Sequence, residues 1–352
     1  MGSTLHLRPT QFVDTPASHP DGSVARLAGG MLWFAAYEVI ESGTKRTVPV
    51  AEIATLGDRA AAIHARVTAP RPSLILGERT LRFDQPVVAG ILNVTPDSFS
   101  DGGTLQDDPE AAAAAGVAMA AAGAALIDLG GESTRPGAPL VWEGDEAKRV
   151  APVAERLLRA GTLLSVDTRK SAVMEAALAL GPVIVNDVSA LLWDDRAAGI
   201  VAAAGAPVIL MHSPDPKRGP HGGDGYADVL TDVYDWLEAR IDAVVAAGVD
   251  RAKILVDPGI GFGKTLAENL ALLNGLALFH GLGCPIMLGA SRKRLIGALS
   301  NEAPVGERLG GSVALAIKGA DAGVQLLRVH DVAESVQALR VWRGLRDRAL
   351  VG

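Results

Sequence analysis

Residues 163–186 read LLSVDTRKSAVMEAALALGPVIVN, and their order decides the fold. A short apolar strand, Leu163–Val166, stops at Asp167. A helix over Ser171–Leu180 follows, and a second apolar strand, Val183–Asn186, stops in an amide. The same unit recurs along the chain. Short apolar strands stop at Asn93, Asp128, Asp167, Asn186, Met211-His212, Asp257, Ser291 with Lys293, and Arg328 with His330, which makes eight strand ends. The strands are apolar runs rather than alternations, as strands buried on both faces should be. Eight strands alternating with helices favour an α/β (β/α)8 TIM barrel over an open doubly wound sheet. Such a barrel gathers the C-terminal strand ends into one ring, where the active site lies.

The barrel is expected over residues 85–352. Residues 1–84 read as an N-terminal extension: a Pro/Asp/Ser-rich opening, an apolar segment Met31–Ile40, and a helix Ala51–Val67. Ala69-Pro70-Arg71-Pro72 is a stiff linker, because each proline fixes φ and lacks an N–H. Nothing in the extension looks like a site, and a cap packed on the barrel is its expected role.

Composition narrows the function. Of 352 residues, 49% are hydrophobic and 21% charged, with a net charge of −7 and a pI near 5.5. That balance lacks the basic stripe of a nucleic-acid surface, so no nucleic acid is expected. Met31–Ile40 is ten residues long, carries Glu38, and is too short to span a bilayer. The N-terminus has no basic-then-apolar leader pattern. No membrane association is expected. Cys284 is the only cysteine, which excludes an intrachain disulfide and fits a reducing cytoplasm.

The strand ends carry the chemistry. Asp257 opens Asp257-Pro-Gly-Ile-Gly-Phe-Gly-Lys264, whose glycines let the backbone turn beside a buried carboxylate. The string fails both the P-loop and the G-x-G-x-x-G patterns. Asp167, Asn186 and Asp257 together offer converging acceptors and one amide, a set suited to a flat heterocycle with an amino group and a lactam edge. Ser291-Arg292-Lys293-Arg294 begins at a strand end beside Gly289. In Arg328-Val329-His330 the Arg and His point to one side, at this fold's usual phosphate position. The alternative for Arg328 is an ion pair with a nearby acid. His212 has no zinc-ligand spacing around it and reads as structural. Any metal should be Mg2+, held by Asn93 and phosphate oxygens. Two loops rich in Gly, Ser and Asp, 95–103 and 130–137, have the composition of mobile lids and equally of ordinary surface loops.

From about residue 88 to 345 the chain resembles dihydropteroate synthase, the folate-pathway family that sulfonamides inhibit. The matching strings are GILNVTPDSFSDGG (90–103), DLGGESTRPG (128–137), SVDT (165–168), VND (185–187), LMH (210–212), DPGIGFGK (257–264), SRK (291–293) and RVHDV (328–332). The resemblance implies a barrel joining 6-hydroxymethyl-7,8-dihydropterin diphosphate to p-aminobenzoate, with release of diphosphate. It implies that Asp167, Asn186, Asp257 and Lys293 hold the pterin and that Met211 packs on it. It gives the diphosphate and Mg2+ to Asn93, Arg328 and His330. It gives the p-aminobenzoate site to Thr134, Arg135, Pro136, Phe262 and Ser291, and it implies a homodimer through the helices after strands six to eight. A dissociative displacement suits these residues, since buried Asp167 and Asp257 would favour a pterin cation. The chain departs from the family at 213–223, where the usual short Gly-then-Pro loop is replaced by SPDPKRGPHGG. Two rivals remain: the pterin-binding domain of a methyltetrahydrofolate-dependent methyltransferase, and a non-catalytic pterin-binding protein. Neither needs the anion grip of Arg328 and His330.

Overall fold

The computed structural model describes residues 5–95, 108–134, 138–214 and 225–351. The extension begins with a small antiparallel sheet of β1 (Leu5–Val13), β2 (Ala25–Arg26), β3 (Trp33–Glu41) and β4 (Thr44–Pro49). Strand β3 pairs with β1 along its length and with β2 and β4 in succession. Ser42 and Gly43 both have positive φ, 48° and 77°, the backbone of a two-residue hairpin matched to strand twist. The apolar segment Met31–Ile40 is therefore mostly a strand. The helix expected over Ala51–Val67 is divided at Gly57, whose φ is 91°, into a 3-10 turn (Val50–Leu56) and α1 (Asp58–Thr68).

A hairpin of β5 (Leu74–Leu76) and β6 (Arg79–Leu81) comes next. Its Leu74, Leu76 and Leu81, with Phe83, pack against Ala89, Leu126, Ile184, Ile209, Leu255, Met287 and Leu326 from the barrel strands. These side chains fill the barrel interior, leaving the opposite mouth for chemistry.

The barrel runs β7 (Val87–Asn93), α2 (Pro109–Ala121), β8 (Leu126–Gly130), α3 (Glu143–Arg159), β9 (Leu164–Asp167), α4 (Ser171–Leu180), β10 (Ile184–Asp187), α5 (Ala197–Ala204), β11 (Val208–Met211), α6 (Val229–Ala246), β12 (Ile254–Asp257), α7 (Leu266–Gly275), β13 (Met287–Leu288), α8 (Arg294–Leu299), α9 (Leu309–Asp321), β14 (Leu326–Val329) and α10 (Val332–Val351). The parallel order is β12-β11-β10-β9-β8-β7-β14-β13, and a parallel bridge from Val256 to Ile286 joins the two ends. Local chemistry sets the helix starts. Asp108 caps α2, with Pro109 in its first turn, Asp228 caps α6, and Thr265 and Glu268 form a reciprocal capping box on α7.

The extension docks on the flank of the barrel. His6 Nε2 lies 2.7 Å from Asp235 Oδ1, and Arg66 Nη2 donates to Glu238 Oε1 at 3.1 Å, both acids standing on α6. Arg71 is buried and ties the two parts together. Its Nη1 donates to the carbonyls of Arg66 and Ala69, and its Nη2 to that of His280.

Candidate active site

A cavity of about 830 Å³ opens among the C-terminal strand ends. Asn93, Thr134, Asp167, Asn186, Met211, Asp257, Phe262, Ser291, Lys293, Arg328 and His330 all line it. These are the site residues expected from sequence, except Arg135 and Pro136, which lie outside the described residues. Most of the first loop, at 96–103, and positions 215–223 of the fifth also lie outside them.

Asp128 is the hub of the floor and is fully buried. It accepts from Ser165 Oγ at 2.5 Å, from Asn186 Nδ2 at 3.1 and 3.2 Å, and from Arg328 Nε at 2.5 Å. Arg328 Nη2 also donates to Asp167 Oδ2 at 2.9 Å. The resemblance gives Arg328 to the diphosphate, with an acid partner as the alternative from sequence; two acids stand beside it. A guanidinium this deep needs anions beside it, and the neighbouring strand ends supply them. With 19% of its side chain exposed, Arg328 still presents a face to the cavity.

The donation to Asp128 orients the Asn186 amide and points Oδ1 elsewhere. That oxygen is buried and has no partner. A buried acceptor left unmet is costly, so this atom calls for a donor from a bound molecule.

Burial pushes the Asp167 carboxyl up; Arg328 opposes the shift and Asp128 adds to it. Burial also raises Asp257, against the pull of Lys293 and the Gly259 N–H, which donates to Asp257 Oδ1 at 2.7 Å. Burial brings the Lys293 ammonium down to about 8, with Asp257 holding it up. Lys293 donates to the carbonyl of Ile260 and lies 4.5 Å from the centre of the Phe262 ring. At the rim, the Ser291 hydroxyl accepts from the His330 N–H at 3.2 Å and lies 3.0 Å from its Nδ1, joining the loops after β13 and β14.

Three groups were not assigned to the site from sequence. Asp128 reads in sequence only as a strand end. Lys264 reads in sequence only as the end of its glycine string, yet its Nζ donates to the carbonyls of Gly259 and Phe262 and to His212 Nδ1. Glu132 sits at the cavity edge in a buried ionic cluster. Its place in the second loop was the only available signal. His212, which the sequence reads as structural, is buried: burial pushes its pKa down to about 2, and it packs edge-on against Trp236 at 4.9 Å.

A family model described as pterin binding enzyme matches residues 89–330. The dihydropteroate synthase of Escherichia coli K12 is 44% identical over 263 residues, 74% of this chain and 92% of that protein. The chain belongs to the dihydropteroate synthase family. The Xanthomonas albilineans dihydropteroate synthase solved with 4-aminobenzoic acid superimposes with a TM-score of 0.73 at 47% identity, covering 78% of this chain and 98% of that one. A probable bifunctional folylpolyglutamate synthase/dihydropteroate synthase of Haloferax volcanii is 47% identical over 264 residues, which are 75% of this chain but 31% of that longer protein. The sheet of β1–β4 and α1 precede the segment matched by the family model. A dihydropteroate synthase barrel thus accounts for the ring of acids at the strand ends, and the extension is an addition to it.

Proposed function

We propose that the cavity condenses 6-hydroxymethyl-7,8-dihydropterin diphosphate with p-aminobenzoate, giving 7,8-dihydropteroate and diphosphate. The observation that carries this reading is the buried, unpartnered Oδ1 of Asn186, a residue lining the same cavity as Asp167, Asp257, Lys293 and Arg328. Asp167, Asp257 and Asn186 Oδ1 would accept from the ring and exocyclic N–H groups, and Met211 would pack on the ring face. Analogues lacking those donors would leave buried acceptors unmet and be rejected.

The leaving group is a diphosphate, so the remaining work is to stabilise negative charge as it develops. His330, with Asn93 and the cavity face of Arg328, stands where it can do so. The acids beneath favour a pterin cation, which supports a dissociative displacement. Ser291, Phe262 and Thr134 line the part of the cavity assigned to p-aminobenzoate.

Among the described residues no three His, Cys, Asp or Glu side chains cluster to hold a metal. A single amide oxygen at Asn93 fits a cation brought by the phosphate oxygens, as Mg2+ commonly is. Bound there, Mg2+ would supply neutralising charge to the leaving diphosphate. The same reading includes a homodimer through the helices after strands six to eight. On α10, Val341 and Leu345 lie one turn apart and are 61% and 68% exposed, offering apolar area for such a contact. Among the described residues no helix is long and apolar enough to cross a membrane, and the single, buried Cys284 suits a cytoplasmic setting.

The test is release of diphosphate and formation of dihydropteroate with both substrates and Mg2+. Product that requires both substrates is the expected result. Folded protein that binds the pterin but forms no product would overturn the synthase reading.

A further inference from the structure

Behind the acceptor side of the cavity lie two acids and two cations that the chemistry above leaves unused. Glu132, Glu146, Arg169 and Lys170 are 7%, 0%, 8% and 6% exposed. Glu132 Oε2 accepts from Arg169 Nε at 3.0 Å. Glu132 Oε1 accepts from Lys170 Nζ at 2.9 Å and from the backbone N–H of Val141 at 3.0 Å. Lys170 Nζ donates further to the carbonyl of Val141 at 2.7 Å and to Glu146 Oε2 at 2.6 Å. The Arg169 guanidinium lies 4.0 Å from the centre of the Trp193 ring.

The charges balance within the cluster, and all three Lys170 donors are used. Burying ion pairs gives up hydration, and apolar packing of similar volume is often at least as stabilising. Stability alone is therefore a poor reason for this arrangement. Its distinctive output is position. Glu132 and Val141 stand on opposite ends of the loop after β8. Lys170 bonds to both ends, and Glu132 adds a direct bond between them. Thr134, two residues from Glu132, faces the cavity. Arg169 and Lys170 stand two and three residues after Asp167 on the chain leaving β9, so the clasp is anchored to the strand that carries a ring acid. The helix α3 closes on the same spot: a Cβ at Gly131 would meet Val150 Cγ2 at 2.7 Å and Glu146 Cγ at 3.0 Å.

We infer that Glu132 and Lys170 are positioning residues for the acceptor: they clasp both ends of the loop after β8 and so set the geometry of the p-aminobenzoate side of the cavity. This rests on the synthase reading above. It assigns the clasp to the second substrate and leaves pterin recognition to the floor.

The test uses the full chain with Lys170→Met, which keeps length and removes the three donors. The Michaelis constant for p-aminobenzoate is expected to rise by about tenfold or more, since small misplacements around a reacting group are costly. The dissociation constant for dihydropterin diphosphate alone, by calorimetry, should stay within about twofold. Equal losses for both substrates, or an unchanged Michaelis constant, would overturn the inference. Should Lys170→Met not fold, Val141→Pro removes a single N–H from Glu132 and leaves all four charges in place. It should raise the p-aminobenzoate constant by a few fold at unchanged pterin affinity, and no rise would overturn the inference. Failure of the synthase reading is read separately, as wild-type protein that forms no product. In that event, amide hydrogen exchange over 138–142 still reports on the clasp: faster exchange in Lys170→Met supports it, and unchanged exchange overturns it.

Discussion

Asp257 is buried, accepts from the Gly259 N–H at 2.7 Å, and feels Lys293 as its main cation. Asp257→Asn keeps the shape, removes the charge and replaces one acceptor oxygen with a donor. Pterin affinity should fall by about 2–5 kcal/mol, the cost of breaking a desolvated charged partnership. Titration calorimetry with the dihydropterin measures it, and an unchanged constant would mean that the carboxylate does not meet the ring. Arg328 teaches a related point. Read alone it is a phosphate ligand; in place it pairs with both Asp128 and Asp167. Its replacement should therefore disturb ring binding as well as the diphosphate, because two buried carboxylates would be left facing one another.

At the scale of the element, the glycine loop after β12 is shaped by a close approach. Gly259 has φ of 71°, and a Cβ there would meet the carbonyl oxygen of His212 at 1.9 Å. Only glycine fits that turn. Lys264 staples the loop by capping its own carbonyls, and burial, with Lys293 adding to it, lowers its pKa from 10.5 to about 7. Between those values the unfolded chain holds a proton that the folded loop has released. Stability therefore rises with pH from about 7 to 10.5 on account of this group. The stability difference between wild type and Lys264→Met should grow in favour of wild type as pH climbs through that window. Denaturant unfolding at several pH values measures it, and a difference that shrinks with pH would refute the assignment.

At the scale of the molecule, the added sheet and the barrel share one hydrophobic core. Phe34, Tyr37 and Val39 of β3 belong to the same buried cluster as the barrel's outer face and helices. Phe34 is fully buried and packs edge-on against Tyr37 at 4.9 Å. Phe34→Ala should cost about 3–5 kcal/mol. Thermal unfolding of wild type should show one cooperative transition, shifted down as a whole in the variant. A separate early transition, with the barrel's melting unmoved, would show that the extension unfolds independently.

The barrel, and most of the residues that line the cavity at its mouth, were legible in the chain alone. Apolar runs that end in single polar residues are a local pattern, and closure carries those ends to one mouth whatever their separation along the chain. The strands of the extension were less legible, because β1 and β3 owe their pairing to each other and their burial to the flank of the barrel. Tertiary structure alone decided the partnerships. Arg328 meets Asp128 and Asp167 across 200 and 161 positions of chain, and Lys170 joins two ends of a loop that precedes it. An ion pair depends on distance and on the water excluded around it, and neither is set until the strands have closed.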